Sequence, residues 1–559
     1  MSKFQDGLRY YLLVAGLGLL VSSITVAFYL LYMTFWGFTE SVINYSILLF
    51  IPLAFLSIGV PYALVKLFAQ TKTTESGTHA VLEAYHLTNG NIELRDTAVK
   101  PAAAMLTIGL GGSAGPEGPS LLAGGGIAAA LSRHFKIKAD VRRRVFIAGA
   151  AAGLAATFHT PLTAILFALE IPYKNDLDRE TFMEAVVASV PAYLLSVTIL
   201  GSEPFFGPIP SMPITLYEIG LSMLLGLICG LYTLFFIKSF SWVHHLSYKV
   251  RRRLGNLGLV LIGGTILSVS GVLSVYSIGI GFHFVSALIQ GTSFSLAVLI
   301  LIVLLKTFAT ATTLSFGGSG GLFFPTIVIG AGIGYIFATF FDVQVTGVMF
   351  MAVGMASLLA GTHKVLLTPV AFVVETLGGV FAIPALLASV VSYALSGKHS
   401  FYSVQPHARL KTEELAVERF FAKGQRLIPE KLCQTKAKEV MTTKPVTLHH
   451  GTTVKSALET FEGTKLRVLP VIDDDGCVIG VVNLEDLGFA DMRRQSMTLS
   501  EAVTHKPVLI CEETSLEEIA QLMMDTQQDH VFVVDATERL TGVVSGIDVV
   551  KKILELLAT

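Results

Sequence analysis

Gly115-Pro116-Glu117-Gly118-Pro119 sets one carboxylate between helix breakers in a long apolar stretch, and Gly320-Gly321-Leu322-Phe323-Phe324-Pro325 repeats the break in a later apolar stretch. A carboxylate at the centre of a membrane helix costs about 2.5–3.5 kcal/mol, so it persists only where it faces protein or a wet cavity. Glu117 is thereby marked as a site. Pro119 and Pro325 differ by 206 positions, and Leu162, Thr163, Phe167 and Glu170 match Leu367, Thr368, Phe372 and Glu375 at one offset (367 − 162 = 375 − 170 = 205). Interrupted helices in corresponding places of two halves point to a binding site near the membrane midplane, between inverted repeats.

Composition agrees with that solvent. The 559 residues are 52% hydrophobic and 14% charged, with a mean hydropathy of +0.66, more apolar and less charged than soluble domains. Apolar runs begin at residues 10–33 and 45–68 and recur to about Tyr393. Several reach the roughly 20 residues that a helix needs to cross the hydrocarbon core. The others are shorter and broken by Gly or Pro, which is tolerated at that depth only where the freed backbone is buried in protein or lines a cavity. A net charge of -1 and the lack of a basic, aromatic-interleaved stripe argue against a nucleic-acid partner. Cys229, Cys433, Cys477 and Cys511 form no paired motif, so no structural disulfide is expected. Lys3 and Arg9 precede the first apolar run, which has no cleavage site, predicting a retained helix with a cytoplasmic start. Arg142–Arg144 and Arg251–Arg253 read as loops or interface anchors.

Past Tyr402 the chain turns charged and loses its long apolar runs. The boundaries expected are a membrane domain over 1–406, a linker over 407–435, and two small domains over 436–496 and 497–559. The last two echo each other. Val446-Thr447, Leu469–Asp473 and Gly480–Asp486 give a strand, strand, strand and helix-start order that Val508–Ile510, Val531–Asp535 and Gly542–Asp548 repeat. Helical spacing of Leu516, Ile519, Ala520 and Met523 predicts an amphipathic helix over 515–524. The fold class is an all-α polytopic membrane domain of interrupted helices followed by a tandem α/β module.

Helix N-termini carry unpaired N–H groups and about half a positive charge, so several converging on one point attract an anion without a fixed cation. Four segments have the needed features: Glu75-Ser76-Gly77-Thr78, Gly115–Pro119, Gly320–Pro325 and Ser400-Phe401-Tyr402. Ser76 and Tyr402 would donate hydroxyls, and Gly115, Gly118, Leu322 and Phe323 would supply close backbone. An ionised Glu117 can occupy the anion position and block it. Once protonated it loses that attraction and swings away, which makes a gate sensitive to both anion and proton.

These segments resemble, in order, those of the CLC family of chloride channels and chloride/proton exchangers, and the tandem module resembles the paired CBS domains that many members carry. The resemblance spans nearly the whole chain. It departs at Thr78 and His79, where the family tends to have a hydrophobe and Pro, and at Pro116, commonly basic or polar. It implies chloride or a similar anion as cargo, protons as a partner, a lipid bilayer, a homodimer with a pore in each subunit, and no required cofactor or metal. The location implied is the plasma (inner) membrane, with the CBS domains cytoplasmic. Lys100 resembles a family lysine placed behind the anion path, and Lys306 is read in the same way, with snorkelling to the interface as the plain alternative for both. Glu170 and Glu375 read as capping carboxylates, and His159 as a packing histidine. Where proton-coupled members commonly carry a second, inner carboxylate, this chain has Ile171, which cannot hold a proton. The lean is therefore toward passive conduction, with an antiporter using another inner proton route, such as Glu170 or a water chain, as the alternative. Ser545 and Asp548, with Asn483 and Asp486 as first-unit equivalents, are the positions where family members bind an adenine nucleotide.

Other classes fit less well. An enzyme would need a nucleophile beside a base, or a metal cluster, and neither stands out. A CBS-regulated divalent-cation transporter would need several intramembrane acids, whereas Glu117 is nearly alone. A non-transporting, nucleotide-sensing membrane scaffold leaves the four broken segments without a purpose.

Overall fold

The computed structural model describes residues 2–559 other than 75, 202–205, 207–213, 342–346, 409–416, 418–419, 423–424, 426, 465, 467, 485–497, 500–505, 527 and 559. It separates into two compact units, Met1–Arg409 and Leu410–Thr559.

The first unit is helical. Its first half comprises α1 (Ser2–Tyr45), α2 (Phe50–Phe68), α3 (Gly77–Leu87), α4 (Leu94–Gly109), α5 (Glu117–His134), α6 (Ala139–Phe158), α7 (Pro161–Glu170) and α8 (Phe182–Leu200). The second comprises α9 (Leu216–Leu273), α10 (Phe282–Ile289), α11 (Leu296–Ser315), α12 (Phe323–Phe340), α13 (Gly347–His363), α14 (Leu367–Thr376) and α15 (Ala382–Leu395). Among the described residues, six helices are long and apolar enough to cross a membrane. α9 is two helical segments joined at Gly255, whose φ of 69° breaks the helix just after the exposed Arg251–Arg253. Neither arginine cluster forms a loop. Arg142–Arg144 lie in α6, with Arg144 on Glu184 at 3.2 Å and Arg143 over the Tyr85 ring at 4.6 Å.

The two halves are related by contacts that swap partners. Thr107 Oγ1 accepts from the Ser319 amide at 3.0 Å, and Thr313 Oγ1 accepts from the Ser113 amide at 3.1 Å. Gly115 and Gly321 exchange both backbone hydrogen bonds, at 3.0 and 2.7 Å. When position i touches j′ and i′ touches j, a two-fold relation is required. The relation extends beyond the stretch legible in sequence, because Gly18 in α1 abuts the Ala188 carbonyl as Gly226 in α9 abuts that of Ala388. His159 bonds Ser196 at 2.9 Å, and Lys364 bonds Ser396 at 2.6 Å. His159 and Lys364 both end helices at positive φ, 52° and 59°. The offset is 205 for the caps (364 − 159) and 200 for the serines (396 − 196), so the connection between them is five residues shorter in the second half.

Small residues allow the innermost helices to approach at backbone distance. A Cβ on Gly124 would strike the Gly149 carbonyl across α5 and α6, and one on Gly330 would strike that of Gly354 across α12 and α13. Where lipid tails are as apolar as the side chains, such close packing holds helices together. The result is a close-packed centre in which α5 and α12 begin side by side.

The second unit holds two small sheets. One has the order β2 (Leu448–His449), β3 (Val468–Ile472) and β4 (Val478–Asn483). The other has the order β1 (Thr442–Thr443), β7 (Leu540–Ser545), β6 (His530–Val534) and β5 (Leu509–Cys511). Two expectations shift. Val446-Thr447 precede the strand, which starts at Leu448, and β1 leaves its own unit to pair with β7, Thr442 opposite Val543. Leu432 and Ala437 are likewise buried with Ile510, Val531 and Val544 in the core of the second module. Local pattern shows that a strand forms; its partner is chosen by which core its neighbours fill. The amphipathic helix lies at Leu516–Thr526.

Candidate functional site

α5 begins at Glu117 itself, and Pro119 suits a first turn that leaves N–H groups unpaired. The carboxylate is fully buried and reaches across the two-fold to α12, where Oε1 accepts from the Phe323 amide at 2.5 Å. Gly115 and Gly321 wall it in: a Cβ on either would collide with its oxygens. The carboxylate thus sits where the N-terminus of α12 holds a negative charge. α3 brings a third N-terminus, since a Cβ on Gly77 would strike the Gly118 carbonyl. Gly115 contributes close approach only, because its amide donates to the Gly321 carbonyl and is not available to an ion.

Ser76, Leu322 and Tyr402 line one cavity of about 640 Å³. Ser76 Oγ and Tyr402 OH are buried without a hydrogen-bond partner, as is Glu117 Oε2. The Tyr402 hydroxyl faces Thr78 and the Glu117 charge, but makes no hydrogen bond of regular geometry. Unpaired buried hydroxyls cost about 1–3 kcal/mol each, and a bound acceptor would remove that cost. The same cavity is lined by Lys66, Lys72 and Arg251 and, among the described residues, by no carboxylate. A cleft of one sign raises the local concentration of the opposite ion. The fold brings the Ser76, Glu117, Leu322 and Tyr402 segments together, and adds the Gly77–Gly118 contact, which the sequence gives no sign of. Glu75 lies outside the described residues.

Lys100 is buried, 3.9 Å from Asp96, and donates to Thr73 of the cavity wall at 3.2 Å. Lys306, its equivalent in the second half (306 − 100 = 206), is wholly buried and donates to the Gly279 carbonyl at 2.7 Å. Neither snorkels. Glu170 and Glu375 cap helices across the two-fold. Glu170 accepts from the Leu367 and Thr368 amides at 2.9 and 2.8 Å, and Glu375 from those of Leu162 and Thr163 at 2.9 and 2.8 Å. Both Glu170 oxygens are engaged in these caps. Ile171 is buried, with its carbonyl bonded by Gln405 at 2.8 Å.

In the second unit Ser545 and Asp548 serve each other. Asp548 Oδ2 accepts from the Ser545 amide at 3.0 Å and hydroxyl at 2.6 Å, starting the helix Gly546–Ala558. Ser515 and Glu518 form the same box one helix earlier, where these bonds hold the Glu518 carboxyl below its ordinary value. Asn483 ends β4, and Asp486 lies outside the described residues.

Broken helices whose N-termini meet at a buried carboxylate, beside a cavity with basic lining, fit the class of an anion-transporting membrane protein. Residues 60–397 match the family described as voltage gated chloride channel, and residues 437–490 and 499–555 each match the CBS domain. The chain belongs to the voltage-gated chloride channel (CLC) family and carries two C-terminal CBS domains. It is 28% identical over 331 residues to the H(+)/Cl(-) exchange transporter ClcA of Vibrio cholerae, covering 57% of this chain and 70% of that one. It is 26% identical over 427 residues to a chloride/fluoride channel protein of Pseudomonas syringae pv. tomato, covering 72% and 90%. The fold resembles the crystal structure of a eukaryotic CLC transporter with a TM-score of 0.61 at 17% identity, covering 98% of both chains.

Proposed function

We propose that an anion of the chloride class passes between the basic cavity and the far side of Glu117 in each subunit of a homodimer, and that this carboxylate is the gate. The carrying observation is the bond from the Phe323 amide to Glu117 Oε1: the carboxylate occupies an amide position that suits an anion. Protonation removes its charge and with it the charge-assisted part of that bond. The gate then opens as pH falls. The second chloride-binding partners are Ser76 and Tyr402 with the backbone at Gly118 and Leu322, and Lys100 raises the potential behind them. The chain sits in the plasma (inner) membrane, with its N-terminus and CBS domains cytoplasmic.

With Ile171 at the inner position, Glu117 alone gives passive, pH-gated conduction. A proton-coupled antiporter is the second reading, favoured by the exchanger relative and requiring another titratable group. Chloride efflux from liposomes with a simultaneous pH readout tests the gate: efflux is expected to rise as pH falls, and efflux indifferent to pH would overturn it.

The CBS pair is proposed to take an adenine nucleotide, with Asp548 Oδ1 as the atom left for a ribose hydroxyl. Calorimetry with ATP on the full chain is expected to give heat that Asp548→Ala abolishes, along with a loss of about 1 kcal/mol from the helix cap. No heat from ATP, ADP or AMP would leave these residues with the cap alone.

A further inference from the structure

His363 ends α13 fully buried. Its ring packs among those of Tyr402, Phe401, Phe323 and Phe167, with centroids 5.5, 5.8, 6.1 and 6.2 Å away. It therefore touches both the tyrosine of the cavity and the residue whose amide holds Glu117. Packing alone does not call for a histidine here. The equivalent place in the first half is Phe158 (363 − 158 = 205), whose ring lies tilted against Phe323 and edge-on to Phe324, with centroids 5.2 and 4.6 Å away.

The hydrogen bonds assign the ring's two nitrogens. Thr362 Oγ1 donates its one proton to the Leu358 carbonyl at 2.7 Å. We take that hydroxyl as the acceptor toward His363 Nδ1, 2.9 Å away, which places the ring hydrogen on Nδ1. In the neutral ring that leaves Nε2 as a bare lone pair, and Nε2 is buried without a partner. A buried lone pair beside the Tyr402 hydroxyl is a base with no proton yet assigned to it.

The ionisable groups on the surrounding elements are committed elsewhere. On α7, Glu170 caps α14, and on α14, Glu375 caps α7. Lys364 donates to the Tyr393 carbonyl and Ser396. From the segment after α15, Gln405 ties the carbonyls of His363 and Ile171 together at 3.2 and 2.8 Å. The first turn of α12 brings Glu117 through Phe323, and Tyr402 supplies the remaining hydroxyl.

We propose that His363 Nε2 is the second protonation site of the transport path, exchanging protons with Glu117, which makes this chain a coupled exchanger. The proposal rests on the gate reading of Glu117 and takes the proton-coupled reading in place of passive conduction, with His363 as the further titratable group that reading requires. One proton arriving from the cavity side binds the Nε2 lone pair and gives imidazolium. It leaves from the same nitrogen toward Glu117 Oε2, through the space beside Tyr402, and the ring returns to its neutral form. Nδ1–H stays on Thr362 throughout, and no electrons are exchanged. An anion at Tyr402 favours the imidazolium and the imidazolium favours the anion, so the two ligands share a reciprocal coupling free energy.

The test reconstitutes the full chain in liposomes, imposes a potassium chloride gradient, and records chloride efflux and external pH together. Wild type is expected to drive protons uphill. His363→Gln is expected to keep chloride flux within a few-fold while proton movement falls at least ten-fold, and His363→Glu, which restores a titratable group, is expected to recover it. His363→Asn serves if the glutamine variant does not fold. Uphill proton movement unchanged in His363→Gln overturns the proposal, as does a wild type that moves no protons, or loss of chloride flux in parallel with proton movement. Glu117→Ala under the same conditions keeps the two readings apart: if it opens a leak while His363→Gln still pumps, only the histidine assignment fails.

Discussion

Glu117→Ala is expected to open a chloride leak that no longer responds to pH and to abolish any proton coupling. The wild-type carboxylate is held on the Phe323 amide at 2.5 Å, and a hydrogen bond to a charged group contributes about 1.5–3 kcal/mol. Removing a closed state stabilised by that amount raises the open fraction by about ten- to hundred-fold at a pH where the acid is ionised. The variant also adds space where Gly115 and Gly321 close on the carboxylate, with no new side chain to refill it. Chloride efflux from liposomes across a pH series would show it: wild type steep, the variant high and flat. Glu117→Gln mimics the protonated acid and should lie near the alanine variant. A variant with wild-type rate and pH slope would mean that Glu117 is a structural cap.

Glu170→Ala is expected to destabilise the membrane unit strongly, and by more than Glu375→Ala. Its buried carboxylate satisfies three amides and the Thr368 hydroxyl at the start of α14. Alanine leaves those donors unpaired, at about 1–3 kcal/mol each, for a loss of about 3 kcal/mol or more. Glu375→Ala breaks the equivalent bonds, yet Glu375 is half-buried where Glu170 is buried, so other donors and acceptors can reach the freed groups and the loss is smaller. Thermal unfolding of detergent-solubilised protein would rank the two, and equal losses would contradict the argument from burial. Since Glu170 is a cap, Glu170→Gln, which keeps one acceptor oxygen, should recover part of the stability and leave the pH response of chloride flux unchanged.

Much of the membrane site can be read from the chain because it is built from backbone. Gly and Pro mark where a helix must break, a lone acid among apolar residues marks where it must face a cavity, and one offset near 205 marks the two-fold. The caps formed by Glu170 and Glu375 follow from the same offset. His363 is harder to see, since its meaning appears only against Phe158 at the equivalent position, and only the hydrogen bond to Thr362 shows which nitrogen is left bare. In the second unit, strand positions followed local pattern, while the pairing of β1 with β7 did not, because two residues carry too little pattern to specify a partner.

Sequence alone determined that the chain breaks its apolar helices twice in register and places a single acid at one break, because composition and spacing are local properties. Only the tertiary structure decided that the acid lies on the amide of the other half, that Gly115 and Lys306 turn to carbonyls, and that His363 sits against Tyr402. Those outcomes depend on which helix ends the two-fold brings within hydrogen-bond range, a property of the packed halves together that neither half carries in its own pattern.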